Sequence, residues 1–293
     1  MNLDILTMGP LLVEIIRTEK GLPLGESGYF AGPFPSGDTP IFIDAAAKMG
    51  RKCGFVGVVG DDDFGRCATE RLSKDGVDIS FVRTAPGKST AVTFVAYFHD
   101  GSRKFLYHVR DAAAGELNPE DIDPFYLEGL KWFHITGFSL SGSSSTKAAF
   151  EKALDLLPKT TKVSFDPNIR PEQLSTDEVR ALCGRAISRA DLILPSANEA
   201  TMFTGAKDEE TGCLQWRDMG KTVVRKRGSE GCRIYDPDGV TDIPTFEVEE
   251  IDPTGAGDAF SAALVSMLLE GLTIREAAQF ASAVGAMSVR RVG

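Results

Sequence analysis

Histidine is scarce in this sequence, with three among 293 residues. His99, His108 and His134 show no metal-ligand spacing, so each reads as a strand or core residue. Cysteine occurs five times, at positions 53, 67, 183, 213 and 232. The odd number and the lack of any C-x-x-C pair exclude a disulfide or zinc framework and predict buried, reduced thiols. No apolar run approaches the roughly 18 residues a membrane-spanning helix needs. The opening Met1-Asn2-Leu3-Asp4 has neither a basic region nor a signal-type apolar stretch, so a cytoplasmic protein is expected. Basic residues are in the minority, 32 against 42 acidic, for a net charge of -10. That balance argues against nucleic-acid or membrane partners, while leaving room for a local basic cleft that binds an anion.

What is present is an ordinary globular composition, 42% hydrophobic and 25% charged, long enough for one large domain or one with a small appendage. Short apolar runs alternate with helical patterns, which predicts βα units around a mostly parallel sheet covered on both faces. Strands are expected at 3–8, 54–59, 132–136, 163–166, 192–194 and 222–226. Helices are expected at 42–48, 65–74, 146–157, 176–186, 258–269 and 274–289. One region breaks the pattern. Residues 89–98 alternate, Asp100-Gly101 is a hairpin signal, and 104–109 reads as a returning strand. Residues 13–35 carry four glycines and three prolines with little helical pattern, so they are placed in the same small sheet.

The most informative string is Asp252-Pro253-Thr254-Gly255-Ala256-Gly257-Asp258-Ala259-Phe260, which leads into an apolar helix. Small residues let backbone approach a ligand. The free amides at a helix start favour an anion. A carboxylate beside an anion site suits a base that takes a proton from an attacking hydroxyl. A plain N-cap with a tight turn is the competing reading.

The whole string resembles the C-terminal signature of the ribokinase-like (PfkB-type) carbohydrate kinases, D-T-x-G-A-G-D. The resemblance runs along nearly the whole chain. Ser36-Gly37-Asp38-Thr39-Pro40 with Val59-Gly60-Asp61-Asp62-Asp63-Phe64-Gly65 is similar to the N-terminal signature, except that Ile41 stands where the family has an asparagine that touches sugar hydroxyls. Asp38 and Asp44 are expected to take over part of that role. Asp61-Asp62-Asp63 reads better as a turn capping the next helix than as a metal cluster. Glu14 matches the acid that follows the first strand. Asp166-Pro167-Asn168-Ile169-Arg170-Pro171 resembles the D-x-N-x-R segment of fructokinases and ketodeoxygluconate kinases. Pro195-Ser196-Ala197-Asn198-Glu199-Ala200-Thr201 resembles P-N-x-x-E, with Thr201 in place of the glutamate. Lys226-Arg227-Gly228-Ser229-Glu230-Gly231 resembles the K-x-G-x-x-G turn.

The resemblance implies a three-layer α/β/α fold, with a mostly parallel central sheet and a small β-sheet lid. Residues 1–12, 36–86 and 112–293 would form the core, and 13–35 and 87–111 the lid. It implies ATP and Mg2+ as cofactors, with K+ in members that use it. Gly255, Ala256 and Gly257 would form the anion hole, Asp258 the base and Arg170 a phosphate clamp. Asn198, Lys226, Gly228, Ser229, Gly231, Thr254, Ala281 and Ser282 would hold the nucleotide. Glu14, Gly37, Asp38, Arg103 and Tyr107 would join Asp258 around the sugar. Glu199 would serve magnesium, and Asp252 a monovalent cation together with Thr254. A homodimer through the lid is expected. The acceptor reads as a free ketohexose or ketodeoxy sugar acid. A nucleoside or sugar-phosphate kinase of the same family, and a non-catalytic sugar- or nucleotide-binding regulator, stay open. An NAD enzyme does not fit, because no G-x-G-x-x-G follows the first strand.

Overall fold

In the computed structural model, residues 2–169 and 176–290 are described. The chain runs β1 (Ile5–Met8), β2 (Leu12–Arg17), β3 (Phe30–Ser36), α1 (Asp38–Lys48), β4 (Cys53–Gly60), α2 (Asp63–Lys74), β5 (Asp78–Ala85), β6 (Ala91–Tyr97) and β7 (Arg103–His108). It continues through α3 (Pro124–Leu127), β8 (Trp132–Thr136), α4 (Gly137–Leu140), α5 (Ser144–Leu156), β9 (Lys162–Asp166), α6 (Thr176–Arg189), β10 (Leu192–Ile193), α7 (Glu199–Thr204) and α8 (Glu209–Asp218). It ends with β11 (Thr222–Lys226), β12 (Cys232–Asp236), β13 (Gly239–Ile243), α9 (Ala256–Leu269) and α10 (Ile274–Ser288).

Nine strands form one sheet in the order β13-β12-β11-β10-β9-β8-β1-β4-β5, parallel except where β12 runs against both neighbours. Alternate side chains leave opposite faces of a strand, so each face collects its own core. Leu6, Met8, Phe133, Ile135 and Val223 pack with Phe150, Cys183 and Trp216 from α5, α6 and α8. Ile5, Phe55, Trp132 and Val224 pack with Phe42, Leu72, Leu264 and Ala278 from α1, α2, α9 and α10. This is the expected three-layer α/β/α arrangement. The second sheet, β3-β2-β6-β7, is built from the two regions that broke the α/β pattern.

Several boundaries moved. The helix expected from residue 42 begins at Asp38, because Gly37 (φ 116°) turns the chain and Pro40 fits a first helical turn. The helix expected from residue 258 begins at Ala256, after Gly255 in the left-handed region (φ 75°). The edge strand β5, the short antiparallel β13 and the helices α7 and α8 were not anticipated. Asp44, expected near substrate, instead lies in an ion-pair group between α1 and α2, with Lys48 at 2.6 Å and Arg71 at 3.6 Å.

Asp62 caps α2 as expected. It accepts from the Gly65 amide (2.8 Å), the Thr90 amide (2.7 Å) and the Thr90 hydroxyl (2.6 Å), so it also ties α2 to the start of β6. Partial burial opposes its charge, but these donors outweigh it and hold the carboxyl below its ordinary range. Its contribution is therefore present above the unfolded pKa and lost as pH falls through the folded one. Asp62→Ala is expected to cost about 1–2 kcal/mol in urea unfolding near neutral pH. The difference from wild type should shrink as the pH is taken below about 4.

Candidate active site

The parallel strands deliver their carboxyl ends to one edge of the sheet, where ligands bind in such folds. Strand order reverses at β1, which lies between β4 and β8. Beyond that edge the loops after β1, β8, β9 and β11 meet the first turns of α1 and α9.

The floor is a polar group around Asp38, which is buried. Its Oδ1 accepts from its neighbour's amide, Thr39 N (2.7 Å), and from Ser139 Oγ (3.4 Å). Its Oδ2 accepts from Asn168 Nδ2 (3.0 Å). Asn168 reaches it from a left-handed backbone (φ 40°), a conformation asparagine tolerates. Gly9 closes the group from β1, since a Cβ there would lie 2.3 Å from Ser139 Oγ. Gly37 is equally confined: a Cβ would meet the Pro10 carbonyl at 2.7 Å.

Next to this floor, Lys226 at the end of β11 pairs with Asp166 at the end of β9. Asp166 is 1% exposed, accepts also from Ser261 Oγ (3.2 Å), and keeps Oδ1 without a partner among the described residues. Burial alone would depress the Lys226 ammonium. Asp166 first, then Glu199 and Asp258, more than offset this and hold it above the usual lysine range. Lys226 also faces α9, where a Cβ on Gly257 would stand 3.5 Å from its Nζ. The opening turn of α9 has no side-chain cap, its Ala256 amide donating only to the Pro253 carbonyl (3.3 Å), and Asp258 sits in that turn. Ile41, the residue at the family's asparagine position, packs against Gly255, 3.1 Å from where a Cβ would stand. Its role is to enclose the turn with an apolar wall.

Glu14 lies on β2 opposite Thr93 of β6, within electrostatic reach of Tyr97. Tyr97, Arg103, Phe105 and Tyr107 share that face, Tyr97 being paired with Arg103. Tyr107 stands over Phe138 (ring centroids 5.6 Å), at a cleft of about 370 Å³ lined also by Phe105, Arg110 and Ser139. Arg103 is exposed at the far end of β7.

Other expected residues take different places. Arg170 lies outside the described residues. Asn198 is exposed, immediately before α7, and its side chain caps nothing. Glu199 is buried and turned inward, its oxygens accepting from the amides of Ile169 (2.9 Å) and Ser196 (2.7 Å). Burial, then the Asp166 charge, push its pKa up. That satisfied carboxylate is a loop brace as placed, and the unpartnered oxygen nearby, itself buried, belongs to Asp166. Gly228 and Ser229 form an exposed turn after β11, and Gly231 (φ 82°) ends it. Ala281 and Ser282 are enclosed by protein, because their face of α10 packs inward. The half-exposed apolar groups beside them are Phe246, Val248 and Ile251 on the segment along α10, with Phe280 and Met287 on α10 itself. Asp252 and Thr254 both meet Tyr97, which reading the sequence missed, as it missed Asp166, Asn168 and Ser139 as site residues. Asp166 and Asn168 stood inside a recognised motif. Ser139 and Tyr97 carry no local signal.

The pfkB family carbohydrate kinase model matches residues 42–293. The chain belongs to the PfkB family of carbohydrate kinases. A probable fructokinase-2 of Arabidopsis thaliana is 31% identical over 300 residues, covering 99% of this chain and 91% of that protein. A 2-dehydro-3-deoxygluconokinase of Thermoproteus tenax is 30% identical over 293 residues, covering 98% and 88%. A provisionally named ribokinase II from E. coli, solved with ATP and Mg2+, has a TM-score of 0.94 at 34% identity, covering 100% of this chain and 94% of that one. This PfkB kinase therefore acts on a sugar hydroxyl, and its fold is ribokinase-like.

Lys226→Met in this kinase would leave Asp166 buried without its counter-charge. The expected cost is about 3–5 kcal/mol in chemical denaturation at neutral pH. The pair's contribution should persist until the pH rises through the elevated lysine pKa.

Proposed function

We propose that this kinase moves the γ-phosphoryl group of ATP to a hydroxyl of a free ketohexose or ketodeoxy sugar acid. The observation that carries the reading is the uncapped first turn of α9, with Asp258 inside it and Lys226 against it. Gly255, Ala256 and Gly257 present amides to the charge that develops on the transferring group. Asp258 takes the proton of the attacking hydroxyl. Lys226 faces the phosphates, while Gly228, Ser229 and Gly231 bring backbone close to them. The half-exposed rim of Phe246, Val248, Ile251, Phe280 and Met287 offers an apolar bed for the base. Mg2+ would neutralise phosphate charge, and Asp166 Oδ1 is the oxygen that fits one of its bound waters.

Support for the acceptor comes from the Asp38–Asn168 pair, which sets one acceptor and one donor side by side for adjacent hydroxyls. The fructokinase and 2-dehydro-3-deoxygluconokinase relatives point to the same two sugar classes. Residues 13–35 and 87–111 act in this reading as a lid that excludes water from the transfer. The five cysteines, all free thiols, suit the reducing cytoplasm.

Asp258→Ala is expected to lower kcat about 10²–10⁴-fold with little change in the KM for ATP. Coupled ADP release on a panel of ketohexoses, sugar acids, nucleosides and sugar phosphates would measure both that loss and the acceptor class. Turnover confined to nucleosides or sugar phosphates would replace the proposed acceptor, and near-normal turnover by the variant would remove Asp258 as base. The outer face of the small sheet exposes Phe30 and Leu106, which suits a dimer through the lid. Phe30→Asp with Leu106→Asp should then yield monomers in sedimentation equilibrium under conditions where the wild type is dimeric.

A further inference from the structure

Tyr97 ends β6 on the inner face of the small sheet, and its backbone carbonyl accepts from Gly21 N at 2.7 Å. Its side chain leaves that sheet altogether. The hydroxyl lies 2.7 Å from Asp252 Oδ1 and 2.6 Å from Thr254 Oγ1, in the loop that enters α9. A phenol has one proton. That proton goes to the carboxylate, so Thr254 donates its own hydroxyl hydrogen to Tyr97. Thr254 N donates to the same Asp252 Oδ1 at 2.9 Å. Asp252 is 3% exposed, and a carboxylate so enclosed needs hydrogen bonds or a cation to stay charged. Burial, with Asp252 and Glu14 nearby, raises the phenol pKa, so Tyr97 keeps its proton at ordinary pH.

The family resemblance assigns Asp252 and Thr254 to a monovalent cation. As placed, Asp252 Oδ1 and the Thr254 hydroxyl are already engaged with protein hydroxyl and amide groups, and hydrogens aimed at Oδ1 repel a cation there. The residues do not fit the ion while Tyr97 is seated. Thr254 is also the residue immediately before Gly255, so whatever fixes this turn fixes the start of the anion hole.

We propose that Tyr97 is a positioning residue that stands in for a monovalent cation, pinning the Asp252–Thr254 turn from the lid side. Transfer by the wild type then runs without potassium. The anion hole is in register only when the lid brings Tyr97 to the turn. The turnover arm of the test rests on the kinase reading, and an exchange arm does not.

The experiment compares wild type with Tyr97→Phe, which keeps the ring and removes only the hydroxyl. Turnover is measured with tetramethylammonium as the sole monovalent cation, and again with KCl or NaCl added. Wild-type kcat should be unchanged by potassium. The variant should lose at least about tenfold in kcat without potassium, with a smaller change in the KM for ATP, and regain it saturably on adding KCl. Hydrogen exchange at the amides of residues 254–258 should be faster in the variant than in the wild type, and slowed again by potassium. Potassium activation of the wild type would overturn the proposal. So would a variant with unchanged kcat and exchange, or a loss that potassium does not restore. Should the wild type turn over no sugar in any salt, the kinase reading fails by itself, and the exchange comparison still decides the role of Tyr97.

Discussion

A largely buried ammonium facing the mouth of a helix organises this molecule. Lys226 is drawn to the sheet edge by Asp166 and held charged by it, close enough to the first turn of α9 that a Cβ on Gly257 would meet its Nζ at 3.5 Å. Two like-signed features, a lysine and the positive end of a helix, are thereby set side by side in a site of low dielectric. The arrangement is unfavourable unless anions are near. Asp166, Glu199 and Asp258 supply that charge within the chain, and a polyphosphate would supply more.

The rest of the site follows from where the strands end. Parallel β8, β9 and β11 each hand over a short polar loop on the same side of the sheet, while α1 and α9 start there from opposite ends of the sequence. Asp38 meets Ser139 and Asn168 although they lie 101 and 130 residues away along the chain. Gly9 and Gly37 are confined by close atoms, so the floor allows no larger residue at either place. The departures from the family pattern also acquire physical roles. Ile41 walls the Gly255 turn with apolar atoms in place of an amide. Glu199 and Glu209 spend their oxygens on backbone amides around α7, which fixes the loops that flank Lys226.

The small sheet is more than an appendage packed on the core. Its inner face carries Glu14, Tyr97 and Tyr107 toward the carboxyl edge, and its outer face leaves Phe30 and Leu106 in contact with solvent. One face therefore meets the loops at the carboxyl edge of the large sheet while the other is open to solvent. The hydroxyl of Tyr97 bonds the small sheet directly to the loop that leads to Asp258.

Periodicity alone determined the α/β class, the six main strands and the six longer helices, because their apolar spacing is strong and local. The D-P-T-G-A-G-D string and its companions determined the family, since each keeps its chemistry within a few residues. The elements β13 and α7 were not legible, being too brief to show a period, and neither β5 nor α8 was anticipated although they run to 8 and 10 residues. Burial was equally hidden: Ala281 and Ser282 belong to a helix whose inward face only packing selects, and Asp44 to an ion-pair group that needs α2 beside α1. The pairing of Lys226 with Asp166, the meeting of Asp38 with Asn168, and the reach of Tyr97 to Asp252 were decided by tertiary structure alone. Each joins residues whose separation along the chain carries no pattern, and only the crossing of strands brings them within hydrogen-bond distance.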